Sequence, residues 1–350
     1  MTSRRTWAAL AATSLAAITF ASTPARAVGG GGTVGEVDER TLASTAHSQI
    51  QITYETGGKG KGKKGNLAPI DPNWKPPACW YEPLFTPEQL KAFVEKTDGA
   101  GMVGIHQGWY GRSLWENHYA KGKQEPNLDE ENTTAEGYDN YNIGKKGYFW
   151  RSVAPDDSDP RSSACDKVMF WQDAGDIPNV PNTPTPKTLA EYAYDKVEIP
   201  ETEIELKPQN KSTVNLPTWV WLDKGTFKDV KVRAALPKTG LWAETTAKPK
   251  SLHLEPGTDD AETFPASGEC AINDDGSIGT PYKKGSSKEE PPCGIKYLRA
   301  TDGEPFQLKA SVTWEISWEG SDDDGVHPLP NGTFETTQEM NVQEVQSINR

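Results

Sequence analysis

"FQLKASVTWEISWEG", residues 306–320, decides how the chain folds. Phe306, Leu308, Ala310, Val312, Trp314, Ile316 and Trp318 alternate with Gln307, Lys309, Ser311, Thr313, Glu315 and Ser317. Successive side chains of a strand point to opposite faces, so this period of two predicts one long strand, buried on one face and wet on the other. A single wet face is the mark of an antiparallel sheet.

Runs of the same kind lie upstream: "YDKVEIPETEIELKP" (194–208), "VNLPTWVWLD" (214–223), "FKDVKVRAALP" (227–237) and "GLWAETTAKPKSLHL" (240–254). Pro, Gly and Asp turns separate them. Short strands at short intervals predict an antiparallel Ig-like β-sandwich over residues 190–350, in a mainly β chain.

"IPNVPNTPTPKT" (177–188) reads as a proline-rich connector and a domain boundary. A smaller α+β region is expected before it, over 72–182. "FTPEQLKAFVEK" (85–96) is its clearest helix: Thr86 caps the start, Pro87 takes the first position and Gln89 closes a capping box. Leu90, Phe93 and Val94 form the buried stripe, while "GYFWRSV" (147–153) and "KVMFWQD" (167–173) read as strands. Residues 28–71 are expected to form a flexible Gly/Lys-rich, disordered N-terminal arm, because their start holds few large apolar groups. Within that arm "SQIQITYE" (48–55) alternates like a short edge strand.

The first 27 residues read as a secretory signal peptide. Arg4 and Arg5 precede an apolar run from Trp7 to Ala21, and Ala25-Arg26-Ala27 supplies a small-x-small end, which places cleavage between Ala27 and Val28. The run is shorter than the ~20 residues of a membrane span. "SRRTW" also suits a twin-arginine leader, so both export routes stay open. The net charge is -13, and loss of Arg4, Arg5 and Arg26 with the leader takes it to -16. Such a surface repels phosphate backbones, which argues against nucleic acid as a partner. No later segment reaches transmembrane length. The expected mature protein is extracellular, free or wall-associated.

The four cysteines are Cys79, Cys165, Cys270 and Cys293. An even set in an exported chain reads as disulfides. Of the three pairings, Cys79–Cys165 with Cys270–Cys293 is favoured, because each bridge then staples one half of the chain. A metal site needs close Cys/His pairs, and the sequence has none; no metal and no cofactor are expected.

Several motifs fail on context. In "ETGGKGKGKKGNL" (55–67), Gly57, Gly62 and Lys63 match P-loop spacing. Lys64 stands where the magnesium-binding Ser or Thr belongs, and "NLAPIDP" puts prolines where the helix should run, so the stretch reads as a tether. "LPKTG" (236–240) spells a sortase motif without the hydrophobic span and basic tail that sorting needs; it reads as a hairpin turn. The Asp274-Asp275-Gly276 and Asp322-Asp323-Asp324-Gly325 runs lack acids at the ends of an EF-hand loop. There is no G-x-S-x-G or H-E-x-x-H, and no catalytic residue is assigned.

Tryptophan is the compositional oddity, with twelve in the chain. Trp219, Trp221, Trp242, Trp314 and Trp318 belong to the sandwich; Trp219/Trp221 and Trp314/Trp318 keep strand parity, so most are expected in its core. "HQGWYGRSLWENHYAKG" (106–122) instead mixes Trp109, Tyr110, Trp115 and Tyr119 with amide and guanidinium donors, which suits stacking on sugar rings. The same rings would otherwise pack against the Leu90/Phe93 stripe.

"VNLPTWVWLD", "EPPCGIKYLRA" (290–300), "ASVTWEISWEG" (310–320) and the terminal "VQEVQSINR" (342–350) resemble a family of exported proteins from Streptomyces-type actinomycetes. The likeness covers about residues 190–350 and extends loosely upstream. The family has no established activity; some members are labelled ATP/GTP-binding, which the failed P-loop does not support here. The resemblance implies a secreted, non-catalytic cell-envelope or interaction protein, with a cell-wall polymer or another envelope protein as partner. The alternative reading is a wall-polysaccharide binder or glycan hydrolase built on the 109–119 aromatics.

Overall fold

The computed structural model describes residues 48–56, 64–97, 115–126, 134–135, 137–200, 204–222 and 228–345. The leader with Ala27 and Val28, most of the N-terminal arm, the Gly/Lys run at 57–63, and Trp109 and Tyr110 lie outside the described residues. The described residues are mainly β, with 45% strand and 14% helix.

In the first half, β1 (Gln51–Thr56) is followed by β2 (Trp80–Phe85), α1 (Pro87–Thr97), β3 (Gly147–Val153), β4 (Phe170–Asp173) and α2 (Pro186–Asp195). Strands β2, β3 and β4 form an antiparallel sheet in that order. The start of α1 is closed as expected: the Thr86 N–H donates to Gln89 Oε1 at 2.9 Å, and the Gln89 N–H donates to Thr86 Oγ1 at 3.3 Å. Its Leu90, Phe93 and Val94 pack with Phe85 and Phe149. The proline-rich connector runs directly into α2, which carries its own capping box: Thr188 N–H donates to Thr185 Oγ1, Thr185 N–H to Thr188 Oγ1, and Pro186 sits at the first position.

The second half supplies β5 (Glu205–Lys207), β6 (Lys211–Thr213), β7 (Pro217–Leu222), β8 (Val230–Ala235), β9 (Trp242–Glu255), β10 (Ala261–Phe264), β11 (Glu269–Ala271), β12 (Ile278–Gly279), β13 (Gly294–Tyr297), β14 (Phe306–Gly320) and β15 (Asp323–Gln343). Among the described residues they build two sheets. The larger is eight-stranded, ordered β1-β8-β9-β14-β15-β6, with β11 on β9 and Ala68–Pro69 on β15. The smaller is five-stranded, ordered β5-β7-β13-β10, with β12 on β7. Pairing is antiparallel except where β6 runs parallel to β15.

The decisive strand behaves as its period dictates. Leu308, Ala310, Val312, Trp314 and Ile316 are buried, and Trp314, Val312 and Ala310 sit opposite Pro249, Leu252 and Leu254 of β9. That apolar face is covered in two pieces. The five-stranded sheet brings Val220, Leu222, Ile295 and Tyr297 into the same interior cluster, and α2 brings Leu189, Ala190 and Ala193. The helix is tied down where Thr245 Oγ1 of β9 donates to the Ala190 carbonyl at 2.9 Å. The opposite face of β14 stays wet, with exposed ion pairs such as Lys309–Glu335 at 3.8 Å. Exposed pairs of this kind contribute at most about 1 kcal/mol each, so burial of the apolar face holds the layers together.

Both expected bridges are present. Cys79, just before β2, joins Cys165, with Cα atoms 6.0 Å apart. Cys270 in β11 joins Cys293, just before β13, with Cα atoms 5.5 Å apart. The second bridge therefore staples the two layers of the sandwich. Trp80 and Val153 of the three-stranded sheet also lie in the sandwich's interior cluster, as does Ile50 just before β1. Among the described residues no helix is long and apolar enough to cross a membrane.

Candidate binding face on the five-stranded sheet

The aromatic stretch singled out in the sequence turns inward where it is described. Trp115 is 2% exposed and Tyr119 0%, inside a cluster with Leu90 and Phe93. Both belong to a wide π-type helical turn, Trp115–Ala120. The Phe93 ring meets Trp115 edge-on at 6.0 Å, and the Tyr119 hydroxyl donates to the Met169 carbonyl at 2.6 Å. Neither ring offers a free face to a sugar; they complete the core under α1.

Other singled-out motifs have local structural roles. LPKTG forms the β8–β9 turn: Leu236 N–H donates to the Leu241 carbonyl at 3.0 Å, and Lys238 and Gly240 take the positive φ values of 72° and 78°. Lys238 Nζ reaches the Leu84 carbonyl at 3.3 Å, tying this turn to β2. Asp275 closes a turn by accepting from Ser277 N–H at 3.0 Å and Ser277 Oγ at 2.6 Å. Among the described residues no group of three or more His, Cys, Asp or Glu side chains is placed to hold a metal ion.

The most concentrated buried charge lies at the junction of the halves. Glu82 accepts from Ser48 Oγ at 2.5 Å, Gln49 N–H at 2.6 Å and Trp80 Nε1 at 2.7 Å, and it faces Arg151 across the β2–β3 pair. Burial pushes its carboxyl above the usual carboxylate range, against the pull of these donors and of Arg151. The carboxylate holds the chain just before β1, a structural task.

A different set of aromatic groups faces outward. Val220 and Leu222 join the interior cluster, whereas Trp219 and Trp221, one residue out of phase, do not. Trp219 is buried, as expected, but outside the interior cluster, whereas Trp221 is only partly buried. Both parities of "WVWL" are apolar, so periodicity could not choose the face. On the outer face, Lys207, Trp219, Gly294 and Phe264 lie side by side across β5, β7, β13 and β10. Trp221 sits between Glu205 and Gly279. Glycine is required at both opposing positions: a Cβ on Gly279 would strike the Val220 carbonyl, and one on Gly294 the Thr218 carbonyl and Pro291.

The chain between β12 and Cys293 crosses this face. Its Tyr282 ring meets Trp219 edge-to-face at 5.9 Å. Clefts open around the crossing. One of about 140 Å³ lies between Lys207, Leu216, Pro217 and Tyr282. A second, of about 520 Å³, lies between Phe264, Pro265, Pro291 and Pro292, and a third, of about 660 Å³, runs along Ile272–Pro281. Lys296 Nζ stands 5.9 Å from the Phe264 ring centre and pairs with Glu262. Trp221 is only partly buried. The Trp219 indole nitrogen, on a residue 6% exposed, has no hydrogen-bond partner among the described residues. Flat π faces, prolines and a few polar groups beside clefts suit ligand contact through stacking with polar edges. No protein-family model, curated protein or solved structure matches the chain.

Proposed function

We propose that this chain is an exported, non-catalytic envelope protein that acts by binding, and that its contact surface is the outer face of the five-stranded sheet. Its partner is a cell-wall polymer or another envelope component. The observation that carries this reading is the placement of Trp219, Trp221 and Phe264 on the side of the sheet away from the interior, beneath a crossing segment flanked by clefts. Large aromatic groups outside a core are costly to leave in water and are concentrated where proteins bind. Three further features support export: the leader-like first 27 residues, two bridges of a kind that persists in oxidising surroundings, and the resemblance to exported actinomycete proteins.

Retention on insoluble peptidoglycan, chitin and cellulose tests the reading. The oxidised protein should be retained by at least one of them, and Trp221→Ala should lower that retention at least several-fold. Failure to bind any envelope material, or retention unchanged in the variant, would overturn the assigned face.

A further inference from the structure

The 140 Å³ cleft beside Trp219 differs from its surroundings in charge. Lys207 lines it, Lys211 lies at the start of β6 next to lining residue Ser212, and the crossing segment "YKKGSSK" (282–288) adds Lys283, Lys284 and Lys288. All five lysines are exposed, and among the described residues none enters an ion pair. No acid occurs between Tyr282 and Lys288, in a chain whose net charge is -13. A basic cluster outside any ion pair on an acidic protein attracts anions locally, with Glu289 and Glu290 following Lys288 in the chain.

The floor and walls supply the rest of a small-ligand site. Lys207 is opposite Trp219 across β5–β7, Pro217 lies two residues before it on the same face, and Tyr282 touches its ring. These residues, with Pro208 and Leu216, make the wall largely apolar. Thr213 and Ser287 bring hydroxyl groups to the lining. The neighbouring Trp219 indole N–H is a buried donor with no acceptor among the described residues. The volume is well under the roughly 300–1,000 Å³ of a site for a drug-sized molecule, so the occupant is about one ring in size.

We propose that this cleft binds a single anionic sugar unit of an envelope polysaccharide: its ring lies against Tyr282 and Pro217, its hydroxyls meet Thr213 and Ser287, and its acidic group faces the lysines. The assignment rests on the binding role proposed above and narrows it to acidic glycans. Carboxylate-bearing and phosphate-bearing sugars share this chemistry.

Titration of the full oxidised chain with polygalacturonate, poly(glycerol phosphate) bearing sugar substituents, and neutral dextran, followed by tryptophan fluorescence, tests it. Saturable binding of at least one acidic polymer is expected, with dextran silent and affinity falling as salt rises. Tyr282→Ala and Lys207→Gln/Lys283→Gln should each weaken binding about tenfold or more, the lysine variant, at exposed positions, leaving the melting curve in place. The two acidic polymers separate a carboxylate from a phosphate ligand. If envelope material is retained but neither acidic polymer binds, or the variants bind like the parent, this site is refuted and the broader binding role stands. If nothing is retained at all, both fall. Equal binding of dextran would overturn the anionic assignment.

Discussion

Glu82 and Arg151 face each other across β2 and β3 with both side chains buried, at the point where the three-stranded sheet meets the chain leading into β1. Removing the Glu82 carboxyl leaves the Ser48, Gln49 and Trp80 donors without their acceptor, at a cost of about 1–3 kcal/mol for a buried donor. Glu82→Ala should show a loss of that order in urea unfolding. Glu82→Gln keeps an acceptor for Ser48 and Trp80 and should cost less.

The same carboxyl makes a signed pH prediction. Its folded pKa is raised by burial, so its contribution is greatest below the ordinary carboxylate pKa and is lost as pH rises through the folded value. Wild type should therefore lose stability relative to Glu82→Gln as pH rises above the ordinary carboxylate value of about 4. A wild type that instead gains on the variant over that range would show that the hydrogen bonds and Arg151, not burial, control the group.

The two bridges should differ in worth. Cys79–Cys165 closes a separation of 86 residues and Cys270–Cys293 one of 23. Loop-closure entropy assigns them about 4.6 and about 3.4 kcal/mol respectively. Unfolding of the paired Cys→Ser variants should reproduce that order. Loss of the shorter bridge should also loosen the segment over Trp219, seen as faster proteolysis between residues 280 and 292.

Leu189 is fully buried in the helix that closes the upper part of the apolar face. Leu189→Ala should cost about 2–5 kcal/mol by cavity formation. A loss well under 1 kcal/mol would mean that α2 is not part of the sandwich core.

How much of this was legible in the sequence depends on how each residue's surroundings constrain it. β14 was readable because one face is wet, which forces alternation. α1 was readable because Thr86, Pro87 and Gln89 spell a capping box. α2 has the same device in "TPKT", but Thr188 takes the place of Glu or Gln and the surrounding prolines mask it. β2 was missed because every residue from Trp80 to Phe85 is buried, so no alternation survives. The binding face was hidden for a related reason: Trp219, Val220, Trp221 and Leu222 are all large and apolar, and only cross-strand register shows which pair faces outward. The cysteine pairing was readable because each bridge lies within one half of the chain. The Trp115 and Tyr119 rings were ambiguous because polar neighbours in sequence, such as Glu116 and Asn117, share a turn whose inward side is apolar.

Hydrogen–deuterium exchange of the oxidised chain, with and without a retained envelope polymer, is the most direct test of where binding occurs. Slowed exchange confined to peptides covering residues 205–222 and 279–297 is the predicted result. Slowing centred instead on residues 106–120, or no change anywhere despite retention, would contradict the assignment of the outer face of the five-stranded sheet.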